Sequence, residues 1–146
     1  NRPLDGNEVK CPFCEIPKMS DEAALIVARG NEVYAVMNLY PYNAGHMLIC
    51  ANRHIADLTE LTISERNEIT EFSAKAMAVL RKVSKCAGFN LGMNQGAISG
   101  AGVAEHIHQH VVPRWSGDAN FMPIIGQTKV LPKLLSQTRD ELSAAW

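Results

Sequence analysis

One long amphipathic segment in the middle of the chain limits the folds that this sequence can adopt. Thr62-Ile-Ser-Glu65 has the form of a capping box, in which a glutamate follows a threonine by three residues. From there to Cys86 apolar residues recur at spacings of three and four, the period of one apolar helix face. Gly88 predicts the helix end, because glycine adopts the left-handed conformation of a helix stop without strain. The sequence therefore predicts one long helix between Thr62 and Gly88.

Short segments of strand character lie on both sides of this helix. Residues 23–29 and 32–37 flank the turn signal Gly30-Asn31 and predict a β-hairpin. The other segments predict strands at residues 46–51, 89–93 and 107–112, the last closed by Pro113, and a final helix at residues 131–145. This order predicts an α+β fold, in which a mostly antiparallel five-stranded sheet packs with one long helix and a C-terminal helix.

Composition favours a single soluble domain. The 146 residues are 47% hydrophobic and 20% charged, which is enough apolar material for one core. We predict one domain over residues 1–146, with an irregular lead-in at residues 1–20 and a helical tail at residues 131–146. A net charge of -1 gives no basic field for nucleic acid, and no apolar run reaches the roughly 20 residues that span a bilayer. We therefore expect a cytoplasmic protein without a nucleic acid or membrane partner.

Three of the five histidines stand at alternate positions, His106, His108 and His110. On a strand, alternate side chains project from one face, about 7 Å apart. Such a row has three interpretations. It can bind a metal, as three-histidine zinc sites do. One imidazole can attack phosphorus while its neighbours orient it and stabilise charge. It can also be a polar strand face with solvated histidines.

The segment before the histidines favours phosphate chemistry. Residues 94–103 hold three glycines and few bulky side chains. Small residues let backbone N–H groups approach an anion closely and form a concave binding site. A glycine-rich loop alone is usually a turn, but this one directly precedes the three histidines.

These features together resemble the histidine-triad (HIT) superfamily. Its motif is His-φ-His-φ-His-φ-φ, where φ is apolar, and this chain has His106-Ile-His108-Gln-His110-Val-Val. Residues 38–49 are similar to the loop and strand of the family's first half, so the resemblance runs from about residue 11 to 114. Residues 113–122 resemble the bacterial diadenosine polyphosphate phosphorylase-like branch. The resemblance implies a HIT-like fold.

The resemblance also implies a mechanism. His108 attacks the α-phosphorus of a nucleotide and forms a nucleotidyl-histidine intermediate, which phosphate, water or another acceptor then releases. His106 and His110 complete the catalytic triad, and His46 supports it with a hydrogen bond. Asn38 holds the ribose hydroxyls, while Phe13 and Ile16 flank the base, although a buried core explains these two equally well. The implied charge-stabilising groups are Asn94 and the loop amides of Gly100, Ala101, Gly102 and Val103.

Two positions depart from the family pattern. Gln109 stands where the family usually has an apolar residue, and it faces the side of the strand opposite the histidines, where burial would require hydrogen-bond partners. Many members have glutamine followed by serine or threonine just before the triad, where this chain has Gly102-Val103. A hydroxyl that helps the leaving group is missing there, and Ser99 is the candidate replacement.

Cys11-Pro-Phe-Cys14 is a C-x-x-C pair whose thiolates can hold a metal from one turn. Some HIT proteins have a structural zinc at such a pair together with a histidine at the His54 position and the first triad histidine. The resemblance thus implies a closed zinc site of Cys11, Cys14, His54 and His106, and no organic cofactor. The alternative is a redox-silent thiol pair with a solvated His54.

Several functions therefore stay open at the level of sequence. The first is a nucleotidyl transferase or hydrolase that acts on dinucleoside polyphosphates, foremost a diadenosine tetraphosphate phosphorylase with inorganic phosphate as acceptor. Adenosine phosphoramidates are the second substrate class. A zinc-dependent hydrolase with the triad as metal ligands and a nucleotide-binding module without turnover are the other candidates. The resemblance implies a homodimer in which the partner's C-terminal segment reaches the site, where Trp115 and Trp146 are candidate contacts.

Overall fold

The computed structural model describes residues 10–118 and 132–146, and the backbone of two short strands before them. The strands are β1 (Pro3–Leu4), β2 (Asn7–Glu8), β3 (Ile26–Arg29), β4 (Val33–Met37), β5 (Met47–Ala51), β6 (Gly88–Gly92) and β7 (His108–Arg114). The helices are α1 (Pro12–Glu15), α2 (Asp21–Ala24), α3 (Ile63–Ser84) and α4 (Pro132–Ala145). Strands β3 to β7 form one antiparallel sheet in the order β3-β4-β5-β7-β6. The predicted α+β fold is confirmed.

The predicted lead-in at residues 1–20 has more regular structure than expected. It includes β1, β2 and the single turn of α1, which Cys11 caps at its N-terminus. Residue 131, the predicted start of the last helix, lies outside the described residues, as do residues 119–122 of the segment similar to the phosphorylase branch. Within the described residues, no helix has the length and apolar run that crossing a bilayer requires.

The long helix begins as predicted and ends earlier. The Thr62 hydroxyl accepts the Glu65 N–H at 3.0 Å, and the Glu65 carboxylate accepts the Thr62 N–H at 2.8 Å, so the capping box is complete. The helix stops at Ser84 because Lys85 takes the left-handed conformation, with φ 54°. The prediction that Gly88 ends the helix is wrong. Residue 87 already pairs with β7, and Gly88 is the first residue of β6.

The sheet is buried on both faces at its centre. One face packs under α3 and α4, with Ala35, Ile49 and Val111 in the main core. The other face carries a second cluster, formed by Cys11, Phe13, Ile26, Tyr34, Val36, Leu48 and Cys50. The sequences of β4 and β5 are therefore continuous apolar runs, without the alternation of polar and apolar residues that a strand with one exposed face shows. The catalytic candidates lie on the face of the second cluster.

Strand β7 begins at His108 and continues past the predicted stop at Pro113. Phe89 of β6 pairs with Pro113 on one side, but on the other side β5 pairs with β7 only as far as Val111, so proline is tolerated where β7 extends beyond β5. The Pro113 carbonyl instead accepts a hydrogen bond from the Asn43 side chain at 2.8 Å. His106 precedes the strand, and the Ile107 N–H donates to the Ile55 carbonyl at 2.7 Å.

Candidate active site

His108 and His110 project from one face of β7, opposite Cys50 and Leu48 of β5. Their ring centroids lie 5.2 Å apart. His106, two residues before the strand, is fully buried, and His108 is nearly so. The predicted row of three histidines therefore lies on the face of the second apolar cluster, and His110 is the most accessible of the three.

The tautomer of His108 is set by a main-chain contact. Its Nδ1 lies 2.8 Å from the carbonyl oxygen of His106. A carbonyl can only accept, so Nδ1 carries a proton and Nε2 of the neutral ring carries the free lone pair. Burial lowers the pKa of His108, which favours this neutral form. The ring thus presents an unprotonated nitrogen, as a nucleophile requires.

A second chain of hydrogen bonds sets the tautomer of His110. The Tyr42 N–H donates to Nδ1 of His46 at 3.2 Å, so the proton of neutral His46 is on Nε2. That Nε2 lies 2.9 Å from Nδ1 of His110, which therefore accepts and keeps its own proton on Nε2. Burial, with His110 and His108 nearby, lowers the pKa of His46 to about 3. His110 can thus donate a hydrogen bond from Nε2 toward a bound anion.

Two further predicted residues lie beside the triad. The Phe13 ring centroid is 4.7 Å from that of His108 and 5.7 Å from that of His106. The Nδ2 atom of Asn38 lies 3.4 Å from both ring nitrogens of His46, and its Oδ1 accepts the Tyr40 N–H at 2.9 Å. Ile16 packs against the same apolar cluster as Phe13. The structure therefore brings the predicted base and ribose residues to opposite ends of the histidine row.

Only part of the predicted phosphate loop packs against the second apolar cluster, on whose face the triad lies. Val103 packs against the second cluster, and Ala101 is half-buried. Asn94, Gly100 and Gly102 are exposed, and within the described residues no hydrogen bond joins the Asn94 side chain to the triad. The Ser99 hydroxyl, the candidate replacement for the missing hydroxyl, donates to the Gly96 carbonyl at 2.6 Å within its own turn.

Gln109 points away from the triad, as predicted, and has a partner. Its Nε2 donates to the Ser73 hydroxyl of α3 at 3.0 Å, and that hydroxyl donates to the Ile69 carbonyl at 2.7 Å. This contact fixes β7 to the long helix from the side opposite the histidines. The polar residue in the family's apolar position is therefore satisfied by one serine on the helix.

The predicted metal ligands converge. Each of Cys11, Cys14, His54 and His106 offers one ligand atom, and the four atoms lie within 4.8 Å of one another. Cys14 Sγ is 3.2 Å from Nδ1 of His54 and 3.4 Å from Nδ1 of His106. The other nitrogen of His106 donates to the Ala51 carbonyl at 2.6 Å, so its Nδ1 presents a lone pair to the sulfurs. Two sulfurs and two oriented imidazoles are a donor set that fits tetrahedral zinc.

The three triad histidines do not form a metal site of their own among the described residues. His106 turns its Nδ1 lone pair toward the cysteines, and Nε2 of His110 carries a proton, so only His108 presents a free lone pair at the triad. The geometry therefore disfavours a hydrolase with the triad as its catalytic metal ligands.

Sequence reasoning missed the main-chain partners of the rings, including the His106 carbonyl that orients His108. The Tyr42 N–H and the Ala51 carbonyl set the tautomers of His46 and His106, respectively. Main-chain groups leave no mark on residue type, so no sequence pattern could have identified them. Tyr42 gives a weaker sign, since its exposed ring stacks on His46 at 5.4 Å and 17°.

Comparison with known proteins agrees with this geometry. The family described as HIT domain matches residues 20–117. The AP-4-A phosphorylase of Mycobacterium tuberculosis is 53% identical over 135 residues, 92% of this chain and 69% of that protein. The asymmetrical bis(5'-nucleosyl)-tetraphosphatase of Schizosaccharomyces pombe is 33% identical over 84 residues, 58% of this chain and 46% of that protein.

Solved structures share the fold. A Zn-bound histidine triad family protein from Mycobacterium smegmatis has a TM-score of 0.75 at 23% identity and covers 92% of this chain and 91% of its own. A hypothetical histidine triad nucleotide-binding protein from Sulfolobus tokodaii has a TM-score of 0.78 at 21% identity, with the same coverage. With two of the three histidines on β7, the third just before it, and the family match extending from residue 20 to 117, the chain belongs to the HIT domain family.

Proposed function

We propose that this chain is a nucleotidyl transferase that splits diadenosine tetraphosphate with inorganic phosphate, giving ADP and ATP. The observation that carries the proposal is the contact of His108 Nδ1 with the His106 carbonyl, which leaves Nε2 free to attack. The similarity to the Mycobacterium tuberculosis AP-4-A phosphorylase, at 53% identity, supports the choice of substrate and acceptor.

In the first step His108 Nε2 attacks the α-phosphorus. A P–N bond forms, and the bond from that phosphorus to the bridging oxygen breaks, so ATP leaves with the electron pair of that bond. The adduct carries positive charge on the imidazole, whose Nδ1–H stays hydrogen-bonded to the His106 carbonyl. In the second step an oxygen of inorganic phosphate attacks the same phosphorus. A P–O bond forms and gives ADP, while the P–N bond breaks and its electron pair returns to Nε2, which restores neutral His108.

His110 stabilises charge on the phosphoryl group. Phosphoryl-type transition states spread negative charge over the non-bridging oxygens, and a donor aimed at them lowers the barrier. With Nδ1 of His110 accepting from His46, its Nε2–H is free for this role. Asn38 and Phe13, at opposite ends of the row, are proposed to contact ribose and base, and Asn94 with the amides of residues 100–103 to complete the phosphate site.

The missing hydroxyl favours polyphosphate over phosphoramidate substrates. An amine needs a proton to leave, whereas a triphosphate leaves as a stable anion. Gly102-Val103 supplies no side-chain proton donor, and the Ser99 hydroxyl is engaged by the Gly96 carbonyl. A site built this way suits a leaving group that needs no proton.

The Cys11, Cys14, His54 and His106 group is proposed to hold a structural zinc ion. Four protein ligands leave no open coordination position, so the ion would crosslink Cys11 and Cys14 of the α1 turn to His54 after β5 and to His106 before β7. His106 links this group to the triad, because its ring faces the cysteine sulfurs and its carbonyl orients His108.

We propose that the enzyme is cytoplasmic and, as the family resemblance implies, a homodimer or higher homo-oligomer. The two candidate contact residues have partners in their own chain. Trp115 Nε1 donates to the Ser84 carbonyl at 3.4 Å, and the Trp146 ring lies tilted against that of Phe72, with centroids 5.2 Å apart. Size-exclusion chromatography with light scattering tests the proposal, and a monomer at assay concentrations contradicts it.

The decisive experiment incubates the protein with diadenosine tetraphosphate, with and without inorganic phosphate, and separates the products. We expect ADP and ATP only with phosphate, and no turnover by His108→Ala. Substrate labelled at the α-phosphorus should give an adduct with the wild type and none with the variant. AMP and ATP without phosphate would make the protein a hydrolase of the same mechanism, while full activity of His108→Ala would refute the nucleophile.

A further inference from the structure

The side chain of Asn43 connects the loop before β5 to the end of β7. It is 3% exposed and donates two hydrogen bonds, to the Pro113 carbonyl at 2.8 Å and to Asp118 Oδ2 at 2.7 Å. Both partners can only accept, so the orientation of the amide is fixed and both of its hydrogens are used. Asn43 therefore joins two segments that are 70 or more residues apart in sequence.

Asp118 is itself held from several directions. Arg114 Nη2 donates to Oδ1 at 2.8 Å and Arg114 Nε to Oδ2 at 3.0 Å, while the Trp115 N–H donates to Oδ2 at 2.9 Å. Arg114 also donates to Asn90 Oδ1 at 2.5 Å. The Arg114 guanidinium holds the pKa of Asp118 well below its usual range, so the carboxylate is a permanent acceptor. We call Asn43, Arg114 and Asp118 the clamp.

The clamp is hydrogen-bonded directly to His46. The Asn43 carbonyl accepts the His46 N–H at 3.1 Å. The neighbouring residue, Tyr42, supplies the N–H that meets Nδ1 of the His46 ring at 3.2 Å. Any shift of residue 43 therefore moves both the main chain of His46 and the amide that sets its tautomer. His46 in turn holds Nδ1 of His110 at 2.9 Å.

We propose that Asn43 and Asp118 are positioning residues that fix the tautomer of His46 and, through it, direct the Nε2–H of His110 toward the substrate. The catalytic part of this inference rests on the proposed nucleotidyl transfer, whereas the tautomer part does not. A misplaced clamp leaves His46 a choice of two neutral tautomers. The one protonated on Nδ1 would meet the Tyr42 N–H with a second donor and offer only a lone pair to His110.

A clamp that merely stabilises the fold would also matter for stability, so the test needs a readout of the rings. We would record ¹⁵N NMR spectra of the histidine ring nitrogens, which distinguish the two neutral tautomers, and measure kcat and KM with diadenosine tetraphosphate and phosphate. The variant is Asn43→Asp, which has nearly the same shape but loses both donors and faces Asp118 with a second carboxylate.

Asn90→Asp is the matched control. It makes the same chemical change in the same cluster, but Asn90 uses its oxygen as an acceptor for Arg114, so its bond persists. We expect Asn43→Asp to mix the tautomers of His46 and His110 and to lower kcat about 10- to 100-fold with little change in KM, the scale on which supporting hydrogen bonds act. Asn90→Asp should change neither.

Asp118→Asn covers the case in which Asn43→Asp does not fold, because an amide oxygen at residue 118 can still accept from Asn43. It should give a smaller change of the same sign in both readouts. Unchanged ring-nitrogen shifts in a folded clamp variant would overturn the inference, as would an equal response of Asn90→Asp. If the wild type does not turn over the dinucleotide, the proposed function fails while the NMR comparison still tests the clamp.

Discussion

The carbonyl oxygen of His106 lies 2.8 Å from Nδ1 of His108, while the ring of His106 faces the sulfurs of Cys11 and Cys14. One residue thus belongs to the candidate metal-ligand group by its side chain and orients the proposed nucleophile by its main chain. Because the ring is also fixed by the Ala51 carbonyl at 2.6 Å, His106 has little freedom to move independently of either. Changes at the cysteines should therefore reach the nucleophile.

Cys14→Ser tests the metal-ligand part of this connection. The substitution removes one thiolate from the group of four, so we expect the zinc content measured by elemental analysis to fall and the fold to lose stability. A loss of about 3 kcal/mol would lower Tm by roughly 10 °C in a domain of this size. Cys86→Ser is the matched control, since Cys86 is also half-buried but packs against the main core. Unchanged zinc content and Tm in Cys14→Ser would contradict the metal site.

The contact between Gln109 and Ser73 predicts that two substitutions of Gln109 differ in their effect on stability. Gln109→Leu leaves the Ser73 hydroxyl bonded to the Ile69 carbonyl, so we expect a change in unfolding free energy within about 1 kcal/mol. Gln109→Glu places a charge against α3 and makes that hydroxyl choose between two acceptors, which should cost about 1–3 kcal/mol. Urea denaturation measures both. Equal effects would mean that the amide donor is unimportant.

The features that the sequence predicted correctly depend on the spacing of residues that are close together in the chain. Alternation places His108 and His110 on one face of β7, and the spacing of Thr62 and Glu65 predicts the capping box that the structure contains. Each depends on residues a few positions apart. The predicted end of the long helix was wrong because the N–H of residue 87 donates to the Arg114 carbonyl of β7. No local pattern indicates this long-range hydrogen bond.

The partners that set ring tautomers could not be predicted for the same reason. The Asn43 side chain reaches Asp118 across 75 positions, and the His106 ring reaches the Ala51 carbonyl across 55. Asparagine in a loop ordinarily marks a turn, so the type of residue 43 gave no sign of its contact. His54 was found only through the family resemblance, since a histidine that follows a strand has no pattern of its own.

The β3–β4 hairpin should depend on a single carboxylate of α3. Glu68 accepts the N–H groups of Asn31, Glu32 and Val33 at 3.2, 2.6 and 2.9 Å. Glu68→Ala leaves these donors to the solvent, and we expect a loss of about 1–3 kcal/mol in unfolding free energy by denaturant titration. A variant as stable as the wild type would show that water replaces the carboxylate at no cost.

The contact between Glu68 and the β3–β4 turn should also require glycine at residue 30. A Cβ atom on residue 30 would lie 2.6 Å from Glu68 Oε1 and 2.9 Å from the tip of the Phe72 ring, both closer than atoms pack. Gly30→Ala should therefore destabilise the protein, and Glu68→Ala should relieve part of the clash, so the double variant should lose less than the sum of the two. Thermal unfolding of the three variants measures this coupling, and simple additivity would contradict the predicted clash.

The buried carboxylate of Glu65 predicts how stability depends on pH in acid. Its pKa is lowered to about 2, first by the hydrogen bonds from Arg53 and also by the Thr62 N–H. In the unfolded chain a glutamate titrates at about 4.3. Between these values the unfolded state binds more protons than the folded state, so the unfolding free energy falls as pH decreases from about 4.3 to 2. Above this window the full contribution is present.

Glu65→Gln removes the charge and keeps an oxygen for the Thr62 N–H. We expect it to be less stable than the wild type at neutral pH and to lose less stability on acidification, so that the two curves converge near pH 2. Arg53→Gln removes the cation instead and should flatten the curve in the same way, because the Arg53 bonds of 2.8 and 3.1 Å are the first cause of the lowered pKa. Denaturant titrations from pH 2 to 7 measure the three curves, and a constant offset between wild type and Glu65→Gln would show that Glu65 titrates alike in both states.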